Sequence, residues 1–246
     1  MTREENVIAH WDFSESVGDE LKDISTYGSH GKIFGAKWNK DQLGIRSLEF
    51  DGIDDYVEID TSNMSLNPFK NISTGTLLVW FRVDSIPLEH GIMPIFYYGS
   101  KDKCDFFDAA NNGLIIEVGH SPIGLGSKKL YYTVWANGCT LPSFCFDSTD
   151  PIKEKQWYHF VVVVGDNYNT GFLNGVEMVH RGYNFGTKTD SQFFARSISH
   201  EKLWIGKGFW DRKEMYLKGA VGEIRVYNKP LTQEEIMSLY NSTKLV

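Results

Sequence analysis

Short apolar runs recur along the chain, separated by Gly, Asn and Asp at the spacing of roughly 8–12 residues that is typical of many short β-strands. Helical periodicity is absent until the last segment. The predicted strands are Val7–Phe13, Lys32–Ala36, Ser47–Phe50, Tyr56–Ile59, Thr76–Val83, Ile92–Tyr98, Gly113–Val118, Lys129–Trp135, Trp157–Val164, Thr170–Leu173, Val176–His180, Leu203–Ile205 and Gly219–Tyr227. Strands of this number and length predict an antiparallel two-sheet sandwich.

Asn174-Gly175 separates two of these strands and predicts a tight hairpin. Both residue types tolerate the positive φ angles of a two-residue type I′ turn. We therefore expect Leu173 and Val176 to pair across the turn.

The end of the chain has the signature of a helix start. Thr232 and Glu235 are spaced as a capping box, and Leu231 and Ile236 are spaced as a hydrophobic staple. These signals predict one short C-terminal helix over Gln233–Tyr240.

The chain has 246 residues, of which 41% are hydrophobic, enough for a large core. Strand-like runs continue from residue 7 to residue 227 without a linker, a repeat or a low-complexity segment. We therefore predict a single domain over residues 1–246.

Charge argues against several partner classes. The formal net charge is −7, and Lys and Arg are spread along the chain, so a nucleic acid would meet no basic stripe. Apolar stretches such as Phe160 to Val164 are far too short to span a membrane. Met1 to Asn6 lacks the apolar core of a secretory signal, so the protein is either intracellular or a domain excised from a longer chain.

Three cysteines occur, Cys104, Cys139 and Cys145. A disulfide between Cys139 and Cys145 would close a short loop and leave Cys104 unpaired, but three reduced buried thiols fit the sequence equally well. The spacing does not match a zinc site.

Four ordered segments resemble the laminin-G-like domain, a jelly roll of the concanavalin A-like type. Phe50-Asp51-Gly52-Ile53-Asp54-Asp55-Tyr56-Val57 is close to the family's Phe-Asp-Gly-x-Asp-Asp-Tyr-Val signature. The other segments are residues 10–31, which end in His30-Gly31, residues 157–175, and residues 205–231. The resemblance implies an all-β, two-sheet antiparallel sandwich. Because this fold hosts lectins, carbohydrate-binding modules, adhesion domains, hydrolases and lyases, function must be argued from the site.

The loop from Asp23 to Gly31 is rich in the oxygen donors that calcium prefers. Members of the resembled family often hold calcium there. The resemblance implies a structural Ca²⁺ site with these ligands: Asp23, Ser25, the main chain near Gly28 and His30, and Glu223 on the last strand. The alternative is a structural loop that needs no metal.

The remaining acidic residues give little support for catalysis. Asp51, Asp54 and Asp55 are best interpreted as turn residues that bind backbone amides. The Glu-x-Asp pattern of sandwich glucanases occurs only at Glu58-Ile59-Asp60, without the further Glu of that signature. Nucleophile elbows, zinc-binding helices and phosphate loops are missing from the sequence, and we assign no histidine to catalysis. We therefore expect no enzymatic activity.

Aromatic residues in loops are the strongest sequence argument for ligand binding, because sugar rings stack their apolar faces on exposed Trp and Tyr. The segment from Lys207 to Arg212 combines Trp210 with Asp211 and Arg212 between two predicted strands. Further candidates are Trp135, Tyr183, Tyr97 and Tyr98. Ordinary burial is the alternative for each of these rings.

These observations favour a non-catalytic carbohydrate-binding or adhesion module that recognises a glycan or glycoprotein, with a structural calcium ion as an option. A glycoside hydrolase or lyase on the same fold is the first alternative, and two carboxylates facing one groove would support it. A protein–protein interaction domain is the second, and a large flat apolar patch would support it. Relatives of this kind imply an extracellular or cell-surface location.

Overall fold

The structure is a computed structural model that describes residues 6–40, 44–62, 67–87, 91–100, 113–119, 128–136, 142–197, 200–210 and 213–243; the side chain of Trp210 also lies outside this description. Two large antiparallel sheets dominate the fold. The strands are β1 (Val7–Trp11), β2 (Glu20–Leu21), β3 (Gly31–Phe34), β4 (Lys37–Lys40), β5 (Arg46–Asp51), β6 (Tyr56–Asp60), β7 (Gly75–Val83), β8 (Ile92–Gly99), β9 (Gly113–Gly119), β10 (Lys129–Trp135), β11 (Phe144–Asp147), β12 (Trp157–Gly165), β13 (Tyr168–Leu173), β14 (Val176–Glu177), β15 (Gly182–Phe185), β16 (Lys202–Ile205), β17 (Lys207–Trp210), β18 (Lys213–Tyr216) and β19 (Lys218–Tyr227).

Strands that pair within a sheet are often far apart in the sequence. The eight-stranded sheet has the order β14-β13-β12-β7-β19-β5-β4, with β1 also paired to β19. The nine-stranded sheet has the order β15-β11-β10-β9-β8-β16-β6-β3-β2, and β17 and β18 form a separate hairpin. This architecture confirms the predicted all-β jelly-roll sandwich.

The core lies between the two sheets. Side chains alternate along each strand, so every second residue points inward. Val79 and Phe81 of the eight-stranded sheet and Ile116 and Val118 of the nine-stranded sheet belong to one buried cluster. Since apolar burial contributes about 25 cal/mol per Å², this shared core is the main stabilising feature of the sandwich.

A helix, α1 (Gln233–Thr243), covers the outer face of the eight-stranded sheet. The Glu235 amide donates to Thr232 Oγ1 at 3.3 Å, and the Thr232 amide donates to Glu235 Oε2 at 2.8 Å. Leu231 and Ile236 pack in one cluster with residues of β7 and β12. The predicted capping box and helix are confirmed, although the helix extends to Thr243 instead of ending at Tyr240.

The predicted hairpin is also confirmed. Asn174 and Gly175 have φ angles of 53° and 78°, and Leu173 pairs with Val176. Both central residues therefore adopt the left-handed conformation that a type I′ turn requires.

Several strands escaped the sequence prediction. They are short, polar or glycine-containing: β2, β4, β11, β15, β17 and β18. The predicted strand Val176–His180 ends at Glu177. These segments are strands because they pair with a neighbouring strand, and local composition does not predict that pairing.

Cys145 lies in β11 as a free, buried cysteine, and burial raises the pKa of its thiol to about 12. Cys104 and Cys139 lie outside the described residues, and because Cys145 is a free thiol, the structure gives no support to the proposed Cys139–Cys145 disulfide. Within the described part of the chain, no helix combines the length and the apolar character needed to cross a membrane.

Candidate functional site

The outer face of the nine-stranded sheet carries an unusual combination of rings and charges. In β6, Val57 and Ile59 point into the core, so Tyr56, Glu58 and Asp60 point outward. By the same alternation, β3 presents Lys32 and Phe34, β16 presents Lys202 and Trp204, and β8 presents Tyr97. These strands are neighbours, so their outward side chains share one surface.

Two stacked ring pairs lie on this surface. Phe34 and Tyr56 have centroids 4.6 Å apart with planes 11° from parallel. Tyr97 and Trp204 have centroids 5.3 Å apart with planes 20° from parallel. Phe34 and Tyr56 are half-buried, whereas Tyr97 and Trp204 are buried.

The β17–β18 hairpin extends the surface. Phe209 packs its ring at 5.4 Å from Trp204 and 6.1 Å from Tyr97. At Gly208 a Cβ would lie 3.0 Å from Pro94 and 3.2 Å from Ile115, so glycine permits this close approach to the sheet. Phe34, Tyr56, Tyr97, Trp204, Phe209 and Tyr216 form what we call the aromatic face.

Lys207 lies among the rings of the aromatic face. Its Nζ is 4.5 Å from the ring centroid of Tyr56, 4.9 Å from that of Trp204 and 5.5 Å from that of Tyr216. The same atom lies 3.4 Å from Glu214 Oε1. Cation–π contacts and an ion pair together compensate for the partial burial of this ammonium group.

A second charged group borders the rings. Glu58 accepts hydrogen bonds from Trp204 Nε1 at 2.9 Å and from Lys202 Nζ at 3.0 Å, and Lys202 Nζ also lies 3.5 Å from Asp60 Oδ2. Burial would lower the pKa of Lys202, but the hydrogen bond and charge of Glu58, together with Asp60, raise it above its ordinary value. The carboxylates of Glu58 and Asp60 therefore lie near the Trp204 ring and next to the charged ammonium group of Lys202.

The rings and carboxylates of this surface are suited to binding a ligand that has both apolar faces and hydroxyl groups. Half-buried rings offer flat apolar surfaces for stacking, and nearby carboxylate oxygens accept hydrogen bonds from hydroxyl groups. Such a mixture of aromatic surface and a few polar groups is typical of small-ligand sites.

The residues predicted from sequence to bind ligand are only partly brought together. Trp210 ends β17, so the predicted binding loop is in fact a hairpin on the aromatic face, but the Trp210 side chain, Asp211 and Arg212 lie outside the described residues. Trp135 is half-buried at the end of β10. Tyr98 lies in the core.

Tyr183 has a role inside the fold. Its hydroxyl accepts a hydrogen bond from Arg181 Nε at 2.9 Å and donates one to Asn169 Oδ1 at 2.8 Å. Its ring packs against Phe144 and Phe146. These contacts place Tyr183 in a structural network rather than on the aromatic face.

The sequence analysis missed Phe34, Tyr56, Trp204, Glu214 and Tyr216 as candidates, although it named the segment that begins at Lys207. The alternation of Tyr56, Glu58 and Asp60 with core residues was a usable signal for β6. Which strands would lie beside β6 was not readable, because these contacts are far apart in sequence.

The predicted calcium loop is closed by protein hydrogen bonds. Asp23 Oδ1 accepts from the amides of His10 and Ser25 at 2.9 and 2.8 Å. Asp23 Oδ2 accepts from Ser25 Oγ and the Ser29 amide, both at 2.8 Å. A carboxylate has about four lone-pair positions, so these donors fill the positions that a cation would use.

The other proposed calcium ligands are also engaged. The His30 amide donates to the Gly28 carbonyl at 2.8 Å, and His30 Nδ1 accepts from the Asp23 amide at 3.0 Å. Glu223 Oε1 lies 2.8 Å from His10 Nε2 and 2.6 Å from Arg225 Nη2. Burial would raise the pKa of Glu223, but His10 and Arg225 lower it. This donor set does not fit a cation, and calcium binding stays a prediction that only a binding experiment tests.

The acidic cluster of Asp51, Asp54 and Asp55 forms a turn. The Asp51 amide donates to Asp55 Oδ2 at 3.0 Å, and the Ile53 amide donates to Asp51 Oδ1 at 2.8 Å. Among the described residues this is the one group of three carboxylates close enough to share an ion. The hydrogen bonds fit the structural interpretation made from the sequence.

Comparisons with solved structures show the same fold in proteins of different function. The chain matches Trypanosoma rangeli sialidase in complex with sialic acid with a TM-score of 0.65 and 16% identity, covering 98% of this chain and 33% of that one. It matches domain 4 of AbnA, a GH43 extracellular arabinanase from Geobacillus stearothermophilus, in complex with arabinotriose, with a TM-score of 0.61 and 16% identity, covering 96% and 98% of the two chains. It also matches the binding domain of botulinum neurotoxin DC in complex with rat synaptotagmin II, with a TM-score of 0.66 and 13% identity, covering 97% and 52%.

The sialidase matches contradict the expectation that this chain is not an enzyme. These matches cover nearly the whole of this chain, so the same fold also forms part of enzymes. The chain spans about a third of the length of those sialidases. At such low identity the likeness shows the fold alone, and the same fold is also common to non-enzymes. Activity is therefore a question for measurement.

A search of curated proteins gave no match to the sequence. A family model of the concanavalin A-like lectin/glucanases superfamily matches residues 51–237, well over half of the chain. This match confirms the laminin-G-like resemblance, and the chain belongs to the concanavalin A-like lectin/glucanases superfamily.

Proposed function

We propose that this protein recognises carbohydrate through the aromatic face. The observation that carries the proposal is the row of half-buried rings bordered by the carboxylates of Glu58, Asp60 and Glu214. The similar Geobacillus domain is in complex with arabinotriose, which supports a sugar ligand on this fold.

The expected affinity is modest. Each ring contact contributes about 0.5–1.5 kcal/mol, and each hydrogen bond to a carboxylate contributes about 1.5–3 kcal/mol. After the costs of association, these terms correspond to dissociation constants of about micromolar to millimolar. Biological binding would then use several copies of the site, so a glycan or a glycoprotein is the expected partner.

A glycan array followed by calorimetry with the strongest binder tests the proposal. We expect Tyr56→Ala and Tyr216→Ala each to weaken binding by about tenfold, since each removes one half-buried ring of the aromatic face. Tyr168→Ala is the matched control, because Tyr168 is 43% exposed on β13 in the other sheet. Unchanged binding by the first two variants, or an equal loss in the control, overturns the proposal.

Trp210→Ala belongs in the same experiment. The backbone of Trp210 ends the strand that carries Lys207 and Phe209 to the aromatic face. We expect this variant to lose glycan binding with little change in melting temperature. A large drop in melting temperature with binding intact would make Trp210 a structural residue.

Glycan cleavage is a second candidate, and one observation favours it. Glu58 and Asp60 point outward at alternate positions of β6 and share Lys202, so two carboxylates lie beside the rings. Glycosidases use two carboxyl groups about 5–9.5 Å apart. Product analysis after long incubation with the bound glycan tests this, and Glu58→Gln should stop any cleavage observed.

The similar binding domain of botulinum neurotoxin DC is in complex with a protein, rat synaptotagmin II. If no glycan on the array binds, a protein ligand becomes the favoured alternative for this chain. The extracellular or cell-surface location implied by the resemblance stays a prediction.

A further inference from the structure

Charge on the aromatic face is balanced. Lys32, Lys202 and Lys207 point to this surface, as do the carboxylates of Glu58, Asp60 and Glu214. Lys32 is aligned with Glu58 across the β3–β6 pair and lies over the Phe34 ring at 5.2 Å. The six side chains carry no net charge at neutral pH.

The positively and negatively charged side chains of these ion pairs differ in exposure. The side chains of Lys202 and Lys207 are 16% and 10% exposed, whereas their partners Glu58, Asp60 and Glu214 are 27%, 37% and 34% exposed. The side chains of Lys202 and Lys207 are therefore less exposed than those of their carboxylate partners, whereas Lys32 is exposed at the β3 side of the face. At the Lys202 and Lys207 ion pairs, a ligand has more carboxylate than lysine surface to contact.

Carboxylate oxygens discriminate between sugars. They accept hydrogen bonds from sugar hydroxyls, but they repel a sugar carboxylate, because bringing like charges together at an interface is unfavourable. A sugar carboxylate could pair directly with Lys202 or Lys207 only if that lysine left its present partner. Loss of a partner inside a partly buried ion pair is itself unfavourable.

We propose that the aromatic face selects neutral oligosaccharides over anionic ones, with Glu58, Asp60 and Glu214 as the residues that exclude a sugar carboxylate. This inference rests on the proposed carbohydrate recognition and adds the class of sugar to it.

Calorimetry with pairs of probes that differ in charge tests the selectivity. Galactotriose, cellotriose, arabinotriose and lactose are the neutral probes, and trigalacturonate and sialyllactose are their anionic counterparts. We expect the tightest neutral probe to bind at least about tenfold more tightly than either anionic probe, the ratio that about 1.4 kcal/mol of discrimination gives. Equal or tighter binding of an anionic probe overturns the selectivity and leaves carbohydrate recognition standing.

A gain-of-function variant isolates the role of Glu214. Glu214→Gln keeps an acceptor for the Tyr216 hydroxyl, which donates to Glu214 Oε2 at 2.7 Å, but leaves Lys207 without its carboxylate partner. We expect trigalacturonate to bind this variant about fivefold to tenfold more tightly than it binds the wild type. Adding Lys207→Met should abolish that gain.

Glu234→Gln is the control, since it changes the net charge equally on an exposed position of α1. It should leave the binding of every probe unchanged. A gain for trigalacturonate in this control, or its absence in Glu214→Gln, overturns the assignment of selectivity to the face. Failure of all probes to bind the wild type overturns both the selectivity and the proposed function.

Discussion

Asp23 shows how one buried carboxylate can organise a loop. It is 3% exposed, and it accepts hydrogen bonds from residues before and after it in sequence, including His10 and Ser29. The bonds from His10 and Ser29 tie β1 to the loop that precedes β3. This carboxylate therefore acts as an internal cap for backbone amides that would otherwise be buried without acceptors.

Asp23→Ala should lower the free energy of unfolding by about 3 kcal/mol, because buried donors left without an acceptor cost about 1–3 kcal/mol each. Denaturant unfolding measures this change. Asp12→Ala is the control, since Asp12 accepts one long hydrogen bond, from the Ser14 amide at 3.2 Å, and it should cost under about 1 kcal/mol.

The same variants test the predicted calcium site. A Ca²⁺ ion at 100 times its dissociation constant would add about 2.7 kcal/mol to stability if only the folded state bound it. A chelator would then lower the melting temperature of the wild type but not that of Asp23→Ala. A wild type whose melting is insensitive to chelator contradicts the calcium prediction.

At the scale of elements, α1 rests on a buried histidine. His159 of β12 is fully buried, and its ring lies 5.0 Å from Trp80 and 5.4 Å from Tyr240 of the helix. Neither ring nitrogen of His159 has a hydrogen-bond partner in the described part of the chain. Trp80 Nε1 also donates to Thr243 Oγ1 at 2.9 Å, so the helix end and the histidine share one contact region.

Burial lowers the pKa of His159 to about 4, while the charge of Glu223 raises this pKa and that of Arg225 lowers it. The unfolded chain binds a proton near the ordinary histidine value of about 6.5. A folded-state pKa below the unfolded one means that the stabilising term is present above pH 6.5 and is lost as pH falls toward 4, by up to about 3 kcal/mol.

His159→Phe should remove this part of the pH dependence, because phenylalanine keeps the ring contacts and cannot be protonated. We expect urea unfolding between pH 7 and pH 4 to show a shallower loss of stability for the variant than for the wild type. Protection factors for amide hydrogen exchange in α1, which correct for the slower intrinsic exchange at low pH, should fall with pH in the wild type alone. His180→Gln, on an exposed side chain, is the control, and a variant that loses stability with pH as steeply as the wild type contradicts the assignment.

At the scale of the whole molecule, both sheets contribute to one core, which runs from Ile8 and Trp11 of β1 to Ile224 and Val226 of β19. Two smaller buried clusters in the described part of the chain lie on the outer faces of the same two sheets, one beneath α1 and one beneath the β17–β18 hairpin, so their strands also contribute to the shared core. The predicted single domain over residues 1–246 should therefore unfold in one step.

Differential scanning calorimetry checks this prediction. We expect one transition, with equal calorimetric and van't Hoff enthalpies. Phe81→Ala in β7 should lower the melting temperature of that single transition, because a large buried side chain is removed from the shared core. Two resolved transitions, of which the variant moves one, would show that the chain folds as separate units.

Features set by neighbouring residues could be read from the sequence. The Asn174-Gly175 turn and the Thr232 and Glu235 capping box each depend on backbone preferences within a few residues, and both occur as predicted. The strand over Tyr56–Ile59 was also predicted, and the period-two alternation along β6 is a further local signal that the sequence contains. These local signals, with the family resemblance, were sufficient for the fold class.

The aromatic face depended on tertiary structure. Phe34, Tyr56 and Trp204 come from strands far apart in sequence, and they meet because the sheet has the order β8-β16-β6-β3. Lys207 reaches these rings on a hairpin whose sequence had been interpreted as a loop. Hydrophobic alternation determines which side of a strand is apolar, but it carries no information about which strand lies beside it. The sequence by itself therefore determined the sandwich, the turn and the helix cap, while packing between distant strands decided which side chains form the binding surface.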